Sequence, residues 1–435
     1  MATPRQIQTK WIMVIIGIFI LGFVVVTTRV IYQENLVSGS TDIYPTWQGG
    51  KLFWQDGVTP YKTIVGEKSQ EAIYGRLAED DEDEFQYVYP FYLILYMGPL
   101  PLLEFKLAAA ILLEILLILL VVCLVMTLDF LQWLPKPIPL GMAILLVLIS
   151  YFSVRGFLLA QPAFLAYGFH IGAYWALSRR YDGLTGGLLA LSTIKPQTGF
   201  LLVPLLIIWA WVNHRRMIVY GFAGVMGVLF MVSFALYPAW LFDWIERAAT
   251  YSNYTETLPT AYVVTHVFDS LPKILTTGGQ VLLSILILIP VAQFWKTAIL
   301  EKDNRNFLWG LMVTMTATLL IAPRVATTYY VELYPAIVVG MMILERRGKI
   351  GWIVIGSIVF IIGYWALHIA TAPPVEDAGK EAPIVYIVFP ILMYLWLVWR
   401  RSDWEDVDIL RREGSTASSD VEAEKPRPLA PQFAD

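Results

Sequence analysis

Asp42 heads a polar stretch, STDIYPTWQGGKLFWQDGVTPY (Ser40 to Tyr61), that directly follows the first apolar segment of the chain. A carboxylate set there is placed to act as a general base on a hydroxyl delivered at the membrane surface. Other polar residues interrupt apolar runs further on. Gln161 lies in RGFLLAQPAFLAYG, Lys195 and Gln197 in LALSTIKPQTGFLLVPLL, and Arg324 follows Pro323 in LLIAPRVATTYYVELYP. Lys195 and Arg324 suit an anionic head group, because an ammonium neutralises it and a guanidinium can hold a phosphate with two parallel hydrogen bonds. Each residue also has a plainer role. Asp42 would serve as a helix N-cap, Lys195 would snorkel to the interface, Arg324 would anchor a helix end, and Gln161 would bond helix to helix. What favours chemistry is that all of them fall at one face of the membrane, where ionisable groups are costly to keep without a use.

Weaker candidates lie in the loops. Tyr87 and Tyr89, with Phe91 and Tyr92, could line an acceptor groove or simply pack at the interface. The preceding acidic run, Glu79 to Glu84, has no Gly or Asn spacing of the kind a calcium loop needs, and reads as a solvated loop. Arg155 is a minor candidate near Gln161, and the lone His266 is more often structural than catalytic. No GxxxxGK[ST], HExxH or Gly-rich nucleotide fingerprint occurs, which disfavours a nucleotide-sugar donor or ATP-driven transport. The single Cys123 excludes an intrachain disulfide. No metal or other cofactor and no nucleic-acid partner is expected.

The elements that must position these residues are membrane helices. The 435 residues are 57% hydrophobic and 15% charged, with a mean hydropathy of +0.61, whereas a soluble chain carries about 25% charge. Apolar segments recur at about 11–31, 106–128, 138–154, 157–178, 184–194, 196–212, 217–237, 281–296, 307–322, 329–345, 351–370 and 384–399. With these twelve crossings the basic clusters Arg179/Arg180, Arg215/Arg216, Arg346/Arg347/Lys349 and Arg400/Arg401 share one side with both termini, which the positive-inside rule makes cytoplasmic. Residues 87–104 are apolar but carry Pro90, Pro99 and Pro101, and read as a broken, partly embedded element on the outer side. The expected fold is therefore an all-α polytopic membrane domain over 1–400. Its large outer loops lie at about 32–87 and 238–280 and include membrane-proximal helices. A polar cytoplasmic tail over 401–435 is expected to be disordered.

At these residues the chain resembles glycosyltransferase family 87, polyprenyl-phosphate-mannose-dependent α-mannosyltransferases of the GT-C fold. The resemblance spans most of residues 10–345. It runs through Asp42-Ile43-Tyr44, Gly57, Pro60-Tyr61, Tyr87-Val88-Tyr89-Pro90, Pro99-Leu100, a degraded Gly-Gln-x-Asn element at Ala160-Gln161-Pro162-Ala163, and Lys195-Pro196. One departure is the late outer loop, where Ala322-Pro323-Arg324 and Thr328-Tyr329-Tyr330 stand in place of a Ser-Pro start and histidines. The resemblance implies an inverting, metal-independent hexosyl transfer, with mannose as the sugar. The donor would be a polyprenyl-phosphate sugar in the bilayer, and the acceptor a lipid-linked or glycan hydroxyl. Transfer would take place on the extracytoplasmic face of a prokaryotic plasma membrane. Asp42 would be the base; Lys195, Arg324 and Gln197 would hold the donor phosphate; Gln161, Tyr87, Tyr89 and His266 would contact substrate. A polysaccharide polymerase or ligase using lipid diphosphates, and a transporter with proline-broken helices, are the alternatives.

Overall fold

The computed structural model describes residues 25–33, 42–79, 82–250, 259–267, 270–322, 325–371, 381–404, 407 and 409–410. Among them there is no strand. In chain order the helices are α1 (25–33), α2 (Tyr44–Asp56), α3 (Thr63–Tyr74), α4 (Leu93–Met97), α5 (Phe105–Phe130), α6 (Pro137–Ile149), α7 (Tyr151–Leu158), α8 (Ala163–Ser178), α9 (Asp182–Ser192) and α10 (Pro196–Gly199). There follow α11 (Leu202–Val212), α12 (Arg216–Leu236), α13 (Trp240–Thr250), α14 (Pro259–Val267), α15 (Lys273–Lys296), α16 (Phe307–Ile321), α17 (Tyr334–Arg346), α18 (Ile350–Thr371) and α19 (Pro383–Trp399).

Six stretches are long and apolar enough to cross a bilayer: Phe105–Phe130, Pro137–Leu158, Arg216–Leu236, Lys273–Glu301, Thr327–Arg346 and Ile350–Thr371. With the shorter apolar helices Leu202–Val212, Phe307–Ile321 and Pro383–Trp399, they make a multi-pass membrane protein. Each of the other expected segments also coincides with helix where it is described, but is short. The first, 11–31, is described only from residue 25. The boundary expected between 154 and 157 is displaced. It lies at 159–162, between α7 and α8, and the extended backbone of Ser150 adds a break between α6 and α7.

Helices α5, α8, α9 and α12 pack side by side, and α15, α16, α18 and α19 complete a second group with α6 and α17. A 3₁₀ segment, Thr327–Leu333, is wholly buried and touches α7, α8, α16, α17 and α19. The contact between α9 and α12 is backbone to backbone. A Cβ on Gly186 would fall 1.8 Å from the Ile218 carbonyl oxygen, and one on Gly221 would fall 2.2 Å from that of Gly183. Small residues permit this in a bilayer, where close van der Waals contact has to replace the hydrophobic effect.

One end of the bundle is capped by α2, α3, α4 and the 3₁₀ turn Leu100–Leu102. Residues 87–104 form no spanning helix: α4 stops at Gly98 (φ 52°), and Tyr87, Phe91, Leu93 and Ile94 are fully buried. Helix α13 closes this cap from outside. Its Trp244 indole donates to the Val88 carbonyl at 3.1 Å, and its Arg247 guanidinium donates to the Tyr61 carbonyl at 2.6 Å.

Candidate active site

The site forms where α2 begins, α8 begins and α9 ends. Helix α7 ends in a Schellman arrangement: the Gln161 N–H donates to the Gly156 carbonyl at 2.9 Å and the Ala160 N–H to the Phe157 carbonyl at 2.9 Å. This requires Ala160 to be left-handed, at φ 51°. Pro162 then starts α8. Gln161, held between these two helix ends, is buried and turns its side chain to the start of α2.

There the Gln161 amide nitrogen donates to the Asp42 carboxylate. The N-cap position of α2 is Ile43, one residue after Asp42, and Ile43 makes no side-chain cap bond. On its other side the Gln161 carbonyl oxygen accepts from the Lys195 ammonium at 3.2 Å.

Lys195 lies on the turn between α9 and α10, outside the six spanning stretches, and is 4% exposed. Its ammonium donates to the Tyr89 hydroxyl at 3.0 Å. It stands 4.6 Å from the Tyr89 ring and 4.7 Å from the Tyr329 ring, a position that favours a cation over two π-faces. Burial lowers its pKa to about 7, against which the nearby Asp42 charge acts to raise it. A cation so poorly solvated gains from an anion placed beside it.

Asp83 adds a second carboxylate. Only partly exposed, it accepts from the Phe85 N–H at 2.8 Å, next to the left-handed Phe85 (φ 47°). Burial raises its pKa to about 6, and the charges of Asp42 and Glu84 add to the shift. The acidic run is thus partly folded into the cap instead of being wholly solvated.

The remaining sequence candidates divide. Tyr89 is in the cluster. Tyr87 is fully buried beneath it, its hydroxyl donating to the Pro90 carbonyl at 2.8 Å and its ring packed against Tyr61. Gln197 is half-buried on the first turn of α10, outside the hydrogen-bonded cluster. Arg324 and the side chain of His266 lie outside the described residues.

Sequence reasoning passes over Tyr329 and His170 as site residues and gives Arg155 only a minor place. Arg155 sits in a buried polar group: its Nε is 3.3 Å from Glu381, which also accepts from the Thr327 hydroxyl at 2.7 Å and from Tyr151. His170 meets Glu332 at 2.8 Å with both side chains wholly buried, tying α8 to the 3₁₀ segment that carries Tyr329. Polarity within apolar surroundings signalled Arg155; nothing local marked its partners.

A carboxylate, an amide that bridges it to a cation, and aromatic walls are groups that could take up a proton next to a negatively charged leaving group. No curated protein and no solved structure matches the chain. The model of glycosyltransferase family 87 matches residues 87–323, a segment that carries Tyr89, Gln161 and Lys195 and begins after Asp42. With more than half its length so matched, and with several helices long enough to span a bilayer, the chain belongs to glycosyltransferase family 87 and is a membrane glycosyltransferase.

Proposed function

We propose that the protein transfers a hexosyl group, mannose in the first instance, from a polyprenyl-phosphate sugar to a hydroxyl of a lipid-linked or glycan acceptor, with inversion. The observation that carries this reading is the single amide of Gln161, which joins Asp42 to Lys195. Asp42 takes the proton of the acceptor hydroxyl, and that oxygen forms the new bond to the anomeric carbon. The bond from the anomeric carbon to the phosphate oxygen breaks, and its electron pair leaves with the polyprenyl phosphate. Lys195, between Tyr89 and Tyr329, stabilises the charge that grows there. A preorganised cation in a dry site is the largest contribution such a site can make. Arg324 is the second cation in this proposal, and no metal takes part.

The working face is proposed to be extracytoplasmic, with both termini inside and the domain spanning 1–400. The test is transfer of labelled mannose from polyprenyl-phosphate mannose in nanodiscs, with lipids and glycans of the host as acceptors. Wild type is compared with Asp42→Asn, and folding is checked by size-exclusion chromatography. A well-folded Asp42→Asn that loses about 100-fold or more supports the base, whose worth is typically about 10²–10⁴-fold. Equal transfer by both removes Asp42 from the mechanism. No transfer from any lipid-monophosphate sugar removes the donor class.

A further inference from the structure

His170, in the middle of α8, is wholly buried, and its Nδ1 lies 2.8 Å from an oxygen of the equally buried Glu332 in the 3₁₀ segment Thr327–Leu333. The far atoms of both side chains, His170 Nε2 and Glu332 Oε2, have no hydrogen-bond partner among the described residues. The titratable groups whose charge the pair meets, Tyr167 and Tyr174 of α8 and Cys123 of α5, are buried as well. A buried pair with two atoms unsatisfied is costly in apolar surroundings. Ionisable groups kept at such a cost within a membrane protein are candidates for a role.

The imidazole touches the segments that carry the site. Tyr329 and Glu332 are three residues apart in the 3₁₀ segment, and residues at that spacing in a 3₁₀ turn lie on one face. The Tyr329 ring stands 4.7 Å from the Lys195 ammonium. At the other ring nitrogen lies the short helix that follows Lys195: a Cβ on Gly199 would fall 3.2 Å from His170 Nε2. Helix α8 itself begins two residues after Gln161, whose side-chain oxygen accepts from Lys195. Two further ties of the 3₁₀ segment hold it toward the start of α19, Thr327 to Glu381 at 2.7 Å and the Tyr330 hydroxyl to the Tyr386 carbonyl at 2.6 Å.

We infer that His170 is a positioning residue: by gripping Glu332 while lying against Gly199, it sets the Tyr329 ring over the Lys195 ammonium. The inference rests on Lys195 as the working cation of the proposed reaction. Tyr89 and Tyr329 favour that cation from their two π-faces. A Tyr329 ring that drifts away weakens the attraction and admits water to the ammonium. The charge that acts on Lys195 directly is that of Asp42, so Glu332 acts through the ring that shares its segment.

The pH dependence of Lys195 labelling reads this without any substrate. The neutral amine displaces fluoride from fluorodinitrobenzene and sheds a proton. Mass spectrometry of the Lys195 peptide across pH then gives the midpoint, about 7 in wild type. His170→Phe and Glu332→Leu break the pair from either end. In both, the midpoint is expected to rise by about one pH unit or more, since burial is what holds it down. Glu332→Gln keeps an acceptor for the imidazole N–H and is expected to hold the wild-type midpoint. Leu146→Ala, a buried site in α6 outside this junction, controls for lost stability alone. An unmoved midpoint in both pair-breaking variants overturns the inference, and so does an equal rise in Leu146→Ala or in Glu332→Gln.

Transfer kinetics in nanodiscs give the second test. His170→Phe and Tyr329→Leu are each expected to lower kcat/KM about three- to tenfold. The double variant is expected to fall no further than the weaker single variant, because both changes act on one contact. Losses that multiply overturn the inference. A shifted labelling midpoint with no transfer from any lipid-monophosphate sugar retains the positioning and dismisses the proposed donor.

Discussion

The Lys195 ammonium lies 3.2 Å from the Gln161 side-chain oxygen, while the nitrogen of the same amide faces Asp42. This fixes which end of the amide points where, since an ammonium only donates and a carboxylate only accepts. The Asp42 carboxylate and the Lys195 ammonium are bridged by one polarised group. Gln161→Leu keeps the volume and removes both bonds. It is expected to lower kcat/KM about 10- to 100-fold at every pH, about 1.4–2.7 kcal/mol of barrier. Gln161→Glu puts a second negative charge beside Asp42, which raises the pH needed to ionise that pair, so its acid limb moves upward. Steady-state transfer across pH separates the two, and a Gln161→Leu enzyme with wild-type rates would dismiss the bridge.

Lys195 gives the alkaline limb. Burial sets its pKa at about 7 in the free enzyme. The cation is present below that pH and lost above it, so kcat/KM for the phosphate-bearing donor is expected to fall as pH rises through about 7, since this ratio reports the free enzyme. The bound phosphate favours the ammonium, so the corresponding limb of kcat lies higher. Lys195→Met is expected to cost about 10²-fold or more, on the scale of removing one preorganised charge-stabilising group. Lys195→Arg stays protonated at any working pH and erases the limb, though it fits less well between Tyr89 and Tyr329. A limb that survives in Lys195→Arg belongs to another group.

Asp83 makes a prediction about stability with a definite sign. Its folded pKa, about 6, lies above its ordinary value of 3.8, mainly through burial. The folded state therefore binds the proton more tightly than the unfolded chain. Stability from this group is full below about pH 4 and is lost as pH rises through about 6. Asp83→Asn keeps an oxygen that can accept the Phe85 N–H and cannot ionise. Its melting temperature in detergent is expected to exceed that of wild type at pH 7.5 and to match it at pH 4. A variant less stable than wild type at neutral pH would show that the charge is stabilised where it sits.

The contrast between what could and could not be read in advance is physical. Asp42, Gln161 and Lys195 were legible because each is polar beside or within apolar sequence, where hydrocarbon penalises it. The broken 87–104 element was legible from three prolines. Their joining was not, since Gln161 meets Asp42 across 119 positions and Lys195 meets Tyr89 across 106, and such contacts leave no periodic trace. Helix ends were obscured for a different reason. The left-handed residue that closes α5, α7, α8 and α11 is Gln132, Ala160, Arg180 and His214, where glycine is the usual signal; glycine supplies it after α2, α3 and α17, at Gly57, Gly75 and Gly348. Asp83 was hidden inside a charge run, and a charge run reads as a solvated face.

Ala160 turns that last observation into an experiment. It is fully buried and left-handed, and its N–H and the next one close the end of α7 and aim Gln161. A non-glycine residue in this region costs roughly 1–2 kcal/mol, and glycine returns about 0.5–1 of that as lost chain entropy. Ala160→Gly is therefore expected to stabilise the protein by up to about 1 kcal/mol with unchanged transfer. Ala160→Val, branched at Cβ and without room, is expected to destabilise it and to lower kcat more than it raises KM, because Gln161 would be turned away from Asp42. Thermal unfolding in detergent paired with steady-state transfer reads both. If Ala160→Val loses stability yet keeps kcat, the α7 cap holds the fold together without directing Gln161.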